Sequence, residues 1–208
     1  HTTEFPIHGS GQGAANSPAI WCFISSKLFQ SHQAKAFGMT MISPDREITL
    51  HMSMVGFVDD STCITGGTST HTVEDMLSRM QTDAQLWNDL LWASGGKLEL
   101  SKCGYHLIYY TFNSDGIPKL LHHSAYPEGT SHGINLKTRH NQLIPIQAKS
   151  IYKPRKNLGH FKCPAGNFHV QAEKITEKAR SLTDAFTKCH ISRRDAYMLY
   201  QTVFRPTI

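Results

Sequence analysis

The sequence predicts an α+β fold in which an antiparallel sheet packs on helices. Residues 48–58 alternate apolar and polar side chains, the period of two that is typical of a half-buried strand. Residues 72–93 instead repeat apolar side chains at three- and four-residue steps, the spacing of an amphipathic helix that Gly95 and Gly96 end. Two further helices are predicted at about 168–188 and 193–203.

The first predicted helix begins at Ser17 and Pro18. Serine is a favoured helix cap, and proline is tolerated at the first helical position because its missing N–H has no partner there. The helix runs to about Phe29 and is apolar on nearly all sides at its start. We therefore expect it to be buried.

The strand over 48–58 leads directly into Asp59-Asp60. One face of this strand carries apolar residues, and a second short strand over 62–64 follows the acidic pair. This order predicts a strand, a tight turn and a returning strand, with two adjacent carboxylates at the tip of the hairpin.

The remaining elements follow from local signals. Residues 97–112 are rich in Leu, Tyr and Ile and are predicted to form a strand, which the turn sequence at 113–116 ends. Residues 117–150 suggest short strands and loops. Ser192 is predicted to cap the last helix, with Asp195 three residues on.

Composition places the chain among ordinary globular proteins. Its 208 residues suffice for one domain or one domain with an appendage, and 39% hydrophobic and 18% charged residues are usual values. No apolar run is long enough to span a membrane, and the first residues do not resemble a signal peptide. Five widely spaced cysteines suit reduced thiols. An intracellular location, cytoplasmic or nuclear, is expected rather than secretion.

The net charge of +5 is unevenly distributed. Residues 1–104 carry six Lys/Arg against ten Asp/Glu, whereas residues 105–208 carry fifteen against six. An acidic half beside a basic half suits an enzyme that holds metal ions in one part and phosphates in the other. A solvated basic surface explains the same imbalance equally well.

Asp59 and Asp60 are the strongest candidates for chemistry. Adjacent carboxylates repel each other unless a cation binds, and Mg²⁺ is usually held by one or two protein carboxylates together with substrate phosphates. Such a pair suits two-metal phosphoryl transfer. An ordinary polar turn is the simpler interpretation of the dipeptide taken alone.

The order of four motifs resembles that of retroelement reverse transcriptases, especially the non-LTR-like and protist types. The family's Gly-x-x-Gln-Gly-x-x-x-Ser-Pro motif is matched by Gly9–Pro18, and its aromatic-x-Asp-Asp hairpin by Phe57–Asp60. A helix follows, and then Gly95–Cys103 is similar to the family's Gly-x-x-Leu-Asn-x-x-Lys segment. Asn157–Gly159 matches the Leu-Gly strand that precedes the thumb.

The resemblance implies an incomplete polymerase palm over residues 1–165 and the start of a thumb over 166–208. It implies catalytic metals, Mg²⁺ with Mn²⁺ as an alternative, held by Asp59 and Asp60, and Lys102 as a general acid near the departing pyrophosphate, although Ser101 replaces the usual Asn there. Further implied residues contact nucleotide, primer or template: Gln12, Gly13, Ser17, Phe57, Leu158 and Gly159. The basic residues Lys153, Arg155 and Lys156 are expected to hold nucleic acid.

The resemblance also implies an RNA template, a DNA primer and deoxynucleoside triphosphates as partners. The family's first catalytic Asp lies upstream of the Gln-Gly loop, and Asp45 is the first Asp in this chain. The expectation is therefore a fragment that is inactive alone and needs the upstream fingers and palm segment of the same polyprotein. An RNA-dependent RNA polymerase palm and a non-catalytic nucleic-acid-binding remnant are the alternatives.

Overall fold

A computed structural model describes residues 17–122, 133–157, 159–188 and 192–204. Over these residues the chain is a mixed α+β protein, which confirms the predicted class. Its described helices are α1 (Ser17–Gln33), α2 (Val73–Ala93), α3 (His169–Thr187) and α4 (Arg193–Leu199), and α4 continues as a π-helical turn (Tyr200–Phe204).

The strands are short and pair two by two. They are β1 (Met39–Ile42), β2 (Thr49–Met52), β3 (Met54–Phe57), β4 (Asp60–Cys63), β5 (Gly104–Tyr105), β6 (Tyr110–Phe112), β7 (Pro118–Leu120), β8 (Asn135–Lys137), β9 (Leu143–Pro145), β10 (Gln147–Ala148), β11 (Arg155–Asn157) and β12 (His160–Lys162). Five of the described pairs are antiparallel, and β5 pairs with β10 in parallel. The single antiparallel sheet expected from the sequence is thus divided into two-stranded units.

The described residues fall into two compact units. The first lies within His1–Tyr109 and His123–Lys149, and the second lies within Tyr110–His122 and Ser150–Ile208. The sequence of the second unit carries twelve Lys/Arg against five Asp/Glu, a net charge of +7. The basic character expected of the later half of the chain therefore belongs mainly to one unit. A palm boundary at residue 165 stays a prediction.

Helix α2 is the central element of the first unit and forms where its apolar stripe predicts. Thr72 and Asp75 form a capping box at its start, in which each side chain binds the other residue's backbone N–H. Its C-terminal end is followed by Gly95 with φ 86°, a conformation that glycine adopts without strain. The helix buries Val73 and Leu77 against Leu107.

Helix α1 is not buried on all sides, contrary to the expectation from its apolar start. Trp21 is 37% exposed and Phe23 is 66% exposed. The helix packs through one side only, where the Phe29 ring lies 5.5 Å from the Trp87 ring of α2 and where His32 is fully buried. Its other sides meet no element within the described residues that buries them.

The strand predicted over 97–112 is wrong for most of its length. Leu98 and Leu100 pack on the buried cluster formed by Ile134, Leu136 and Ile146, whereas Leu107 belongs to the α2 cluster. The backbone turns between the two clusters, with the Lys102 N–H bound to the Glu99 carbonyl at 3.0 Å. Only β5 and β6 form, because side-chain burial in two separate clusters prevails over strand propensity.

The strand predicted over 48–58 is interrupted at Ser53. The Ser53 hydroxyl lies 2.9 Å from His32 Nδ1, and both residues are buried. This contact divides the predicted strand into β2 and β3. The short strands within 117–150 and the two closing helices are confirmed, and Ser192 caps α4 by accepting the Asp195 N–H at 3.2 Å.

Candidate functional site

The β3–β4 hairpin places Asp59 and Asp60 at its tip. Phe57 pairs with Asp60, so Val58 and Asp59 form a two-residue turn, as the sequence predicts. Val58 has φ 54°, a left-handed conformation that two-residue hairpin turns usually assign to glycine. A β-branched residue in this conformation is strained by about 1–3 kcal/mol, and such strain is frequent at functional sites.

The inner face of the hairpin is fixed by the helices. The indole N–H of Trp87 donates to the Ser61 hydroxyl at 3.0 Å. Gly56 lies directly on Phe29, and a Cβ atom at Gly56 would overlap the Phe29 ring. Residues that pair across an antiparallel ladder share one face, so Gly56 and Ser61 both belong to the helix-facing side.

The opposite face of the hairpin is exposed. It carries Val55, Phe57, Asp60 and Thr62, because side chains alternate between the two faces of a strand. Val55 is 48% exposed and Phe57 is 60% exposed, and neither belongs to a buried cluster of the described residues. The contacts of Trp87 and Phe29 thus leave Phe57 and Asp60 open to a ligand.

Both carboxylates at the tip are exposed and available. Within residues 17–122 and the other described ranges, neither the Asp59 nor the Asp60 carboxylate has a hydrogen bond or an ion pair. The indole N–H of Trp21 donates to the Val58 carbonyl, which brings α1 to the same tip. Ser17 lies one helical turn before Trp21. Gln12 and Gly13, expected beside the tip, lie outside the described residues.

The donor set at the tip fits a hard cation that substrate oxygens also bind. Mg²⁺ and Mn²⁺ prefer oxygen ligands, and Mg²⁺ commonly uses one or two carboxylates while keeping several waters. Asp59 and Asp60 supply such a pair. No group of three or more His, Cys, Asp or Glu that could hold a metal occurs in the described part of the chain. The pair alone therefore suits weak binding that phosphates reinforce.

No hydrogen bond or ion pair of the described residues joins Lys102 to the hairpin tip. It lies in the exposed turn before β5, and its described partner is Glu99. Its role as a general acid stays a prediction.

Cys63 is a structural thiol. Burial, followed by the charges of Asp83 and Cys103, raises its pKa to about 12. Its Sγ lies 3.1 Å from the Met54 sulfur, across the ladder at the open end of the hairpin. A thiol with such a raised pKa is a poor nucleophile at neutral pH. The carboxylates are therefore the stronger candidates for chemistry at this hairpin.

A second candidate surface lies on the β11–β12 hairpin of the second unit. Arg155 pairs with Lys162, and Lys156 pairs with Phe161. All three cations are exposed, and the sequence did not single out Lys162. Its position could have been found from the sequence by taking Gly159 as the end of a hairpin turn, since that turn places Lys162 opposite Arg155. Leu158 itself lies outside the described residues.

The register of this hairpin separates the basic residues expected to act together. Arg155 and Lys162 lie directly opposite each other on one face, and Lys156 lies on the other. Like charges directly opposite are destabilising unless an anion neutralises them. Gln171 of α3 holds the hairpin by accepting the Phe161 N–H at 2.6 Å. Lys153 precedes β11 in an exposed bend.

Comparison with models of known protein families, with curated proteins and with solved structures gave no match. Among the described helices, none has the length and apolar character needed to cross a membrane.

Proposed function

We propose that this chain is part of a reverse transcriptase, an RNA-directed DNA polymerase that adds nucleotides to a primer 3′ end. The observation that carries the proposal is the placement of Asp59 and Asp60 at the exposed tip of a hairpin whose other face is fixed to α1 and α2. A rigid support with exposed carboxylates is what a phosphoryl-transfer site requires, because the reacting groups must be held in register.

Asp59 and Asp60 would hold the catalytic ions. Bound Mg²⁺ would lower the pKa of the attacking 3′-hydroxyl and neutralise charge on the departing pyrophosphate. The chain's own residues orient these partners. Phe57 lies beside Asp60 on the exposed face, where an aromatic ring supports a base or sugar. The Trp21 bond to the Val58 carbonyl brings α1 to the tip. By the resemblance, Gln12, Gly13 and Ser17 would contact the nucleotide.

The second unit would hold the primer–template backbone. Its net charge of +7 favours phosphates, and Arg155 and Lys162 present two neighbouring cations on one face of a hairpin. The proposal extends the predicted set of Lys153, Arg155 and Lys156 by this fourth residue. Gly159 lies at the turn of the same hairpin and has no side chain. A nucleic-acid strand can therefore approach the protein backbone closely there.

The proposal includes a further carboxylate from the upstream fingers and palm segment of the same polyprotein. Two-metal sites take carboxylates from more than one strand in order to fix ions about 3.5–4 Å apart. The described residues bring only Asp59 and Asp60 together at the tip. Polymerisation is accordingly assigned to a longer protein of which this chain is a part.

A non-catalytic nucleic-acid-binding remnant of a retroelement is the second candidate. The charge of the second unit favours it, since phosphate binding needs no metal-binding carboxylates. This candidate predicts that nucleic-acid binding persists after Asp59→Asn. It also predicts that no extended form of the chain adds nucleotides.

Nucleotide-dependent cation binding tests the site in the chain itself. Mn²⁺ binding can be measured as the loss of the free-ion magnetic resonance signal relative to a protein-free sample that contains the same nucleotide and primer. This protein-dependent loss should be small with Mn²⁺ alone and larger when a deoxynucleoside triphosphate is present at a primer end. Asp59→Asn should abolish the increase, whereas Asp45→Asn, a change at an exposed acid of the β1–β2 turn, should not. Equal effects of the two variants would contradict the assignment.

A further inference from the structure

A groove of about 710 Å³ lies beside the C-terminal half of α2. Its walls come from α2 and from the β8–β9 hairpin, both in the first unit. Neither the acidic hairpin tip nor the basic β11–β12 hairpin contributes to its described lining. The lining residues that matter here are Gln81, Gln85, Asp89, Trp92, Lys137 and Arg139.

The floor of the groove is rigid because the side-chain amides of two glutamines of α2 bind the backbone of β8. They form the hydrogen bonds that a neighbouring strand would otherwise form. Gln81 accepts the Asn135 N–H at 2.6 Å and donates to the Asn135 carbonyl. Gln85 accepts the Lys137 N–H at 2.7 Å and donates to the Lys137 carbonyl at 3.2 Å. Since these bonds occupy both amides, recognition of a ligand falls to the other lining side chains.

Those side chains combine one aromatic ring with two cations. The Arg139 guanidinium lies 5.9 Å from the centre of the Trp92 ring. Lys137 and Arg139 are exposed, and neither has an ion pair among the described residues. Asp89 is the acid of the described lining, and it accepts from Gln85 Nε2 at 2.8 Å. Phosphates are thus favoured at the hairpin side of the groove, away from Asp89.

We propose that this groove binds a segment of single-stranded nucleic acid. One base stacks on Trp92, and the adjoining phosphates contact Lys137 and Arg139. Aromatic side chains interleaved with cations are the usual platform for single strands, because every base offers a π-face and the backbone offers charge. A duplex keeps its bases stacked inside and gains little from Trp92. This site goes beyond the proposed polymerase chemistry and does not require it.

Anisotropy of a labelled deoxyoligonucleotide of roughly 15 nucleotides tests the groove, since single-strand sites span several nucleotides. Trp92→Leu should raise the dissociation constant by about fivefold or more, the lower range for loss of one stacked base. Arg139→Ala should weaken binding as well. Lys27→Ala is the matched control, because Lys27 is an exposed cation of the same unit on α1 and should leave affinity close to unchanged.

Unchanged affinity in Trp92→Leu, or an equal loss in Lys27→Ala and Arg139→Ala, would overturn the proposal.

A fluorescence measurement covers the case in which Trp92→Leu unfolds. Trp87 is only 4% exposed, so in a Trp21→Phe protein acrylamide quenching reports mainly Trp92. The oligonucleotide should protect this fluorescence, and unaltered quenching would refute the site. The binding measurement contains neither a deoxynucleoside triphosphate nor a divalent cation. Its result is therefore independent of whether the polymerase assignment fails.

Discussion

The indole N–H of Trp87 donates to the hydroxyl of Ser61 at 3.0 Å, and this bond joins α2 to the hairpin that carries the acidic pair. Ser61 follows Asp60 directly. Because neighbouring residues of a strand face opposite sides, fixing Ser61 toward the helix directs Asp60 outward. The orientation of the candidate metal ligand is therefore determined by a buried aromatic residue of the neighbouring helix.

Replacing Trp87 by Phe should lower the free energy of unfolding by about 1–2 kcal/mol, since it removes the hydrogen bond and part of the buried ring. Trp92→Phe, a change at the half-buried end of the same helix, should have a smaller effect. Urea denaturation measures both. A double-mutant cycle with Ser61→Ala should show coupling between the two residues, and strictly additive effects would argue against the bond.

Replacing Gly56 by Ala should destabilise the protein by about 1–3 kcal/mol, because the new methyl group would overlap the Phe29 ring. Gly133→Ala is the control, since the nearest atom to a Cβ there is the Tyr105 hydroxyl at 3.8 Å. Adding Phe29→Leu should recover part of the loss in the Gly56 variant. Equal thermal midpoints for Gly56→Ala and Gly133→Ala would show that Phe29 of α1 does not pack closely against Gly56 of the hairpin.

Replacing Val58 by Gly should raise the free energy of unfolding by roughly 1 kcal/mol, because glycine adopts the positive φ without strain. Little burial is lost, since Val58 is 67% exposed. Val55→Gly, in the neighbouring strand, should instead destabilise, because glycine weakens a strand interior. If Val58→Gly also destabilises, the turn is held in a different conformation.

Binding of primer–template should weaken steeply with salt, and the triple change of Lys153, Arg155 and Lys156 to Ala should reduce the slope. Each lost phosphate contact lowers the slope of log K against log salt by about 0.9 on duplex DNA. Adding Lys162→Ala should reduce it further. Lys174→Ala is the control, since Lys174 is paired with Glu177 at 2.7 Å. A slope that the triple variant leaves intact would mean that these residues are only solvated.

Periodicity predicted the elements whose signals are local. The α2 stripe and the 54–63 hairpin formed as expected because the repeat of the helix and the alternation and turn of the hairpin each lie within one short segment. Residues 97–112 failed because Leu98 and Leu107 belong to different clusters, which no local pattern reveals. The break at Ser53 depends on His32, distant in sequence. Long-range partners of this kind cannot be read from spacing.

The candidate site residues that lie at a turn could be predicted from neighbouring residues in the sequence. Those that depend on the register between two strands could not. Asp59 and Asp60 lie at a turn, which turn chemistry and alternation together indicate. Lys162 was missed because its pairing with Arg155 follows from the exact position of the turn at Gly159. The glutamine contacts that form the groove beside α2 were equally hidden, since Gln81 and Asn135 are far apart in the chain.

Primer extension on an RNA template tests the central claim most directly. The proteins to compare are the 208-residue chain, a version extended upstream of His1, and that version with Asp59→Asn or Asp45→Asn. The proposed function predicts no extension by the chain alone, extension by the longer protein and by its Asp45→Asn form, and none by Asp59→Asn. Extension by the chain alone, or activity that survives Asp59→Asn, would contradict it.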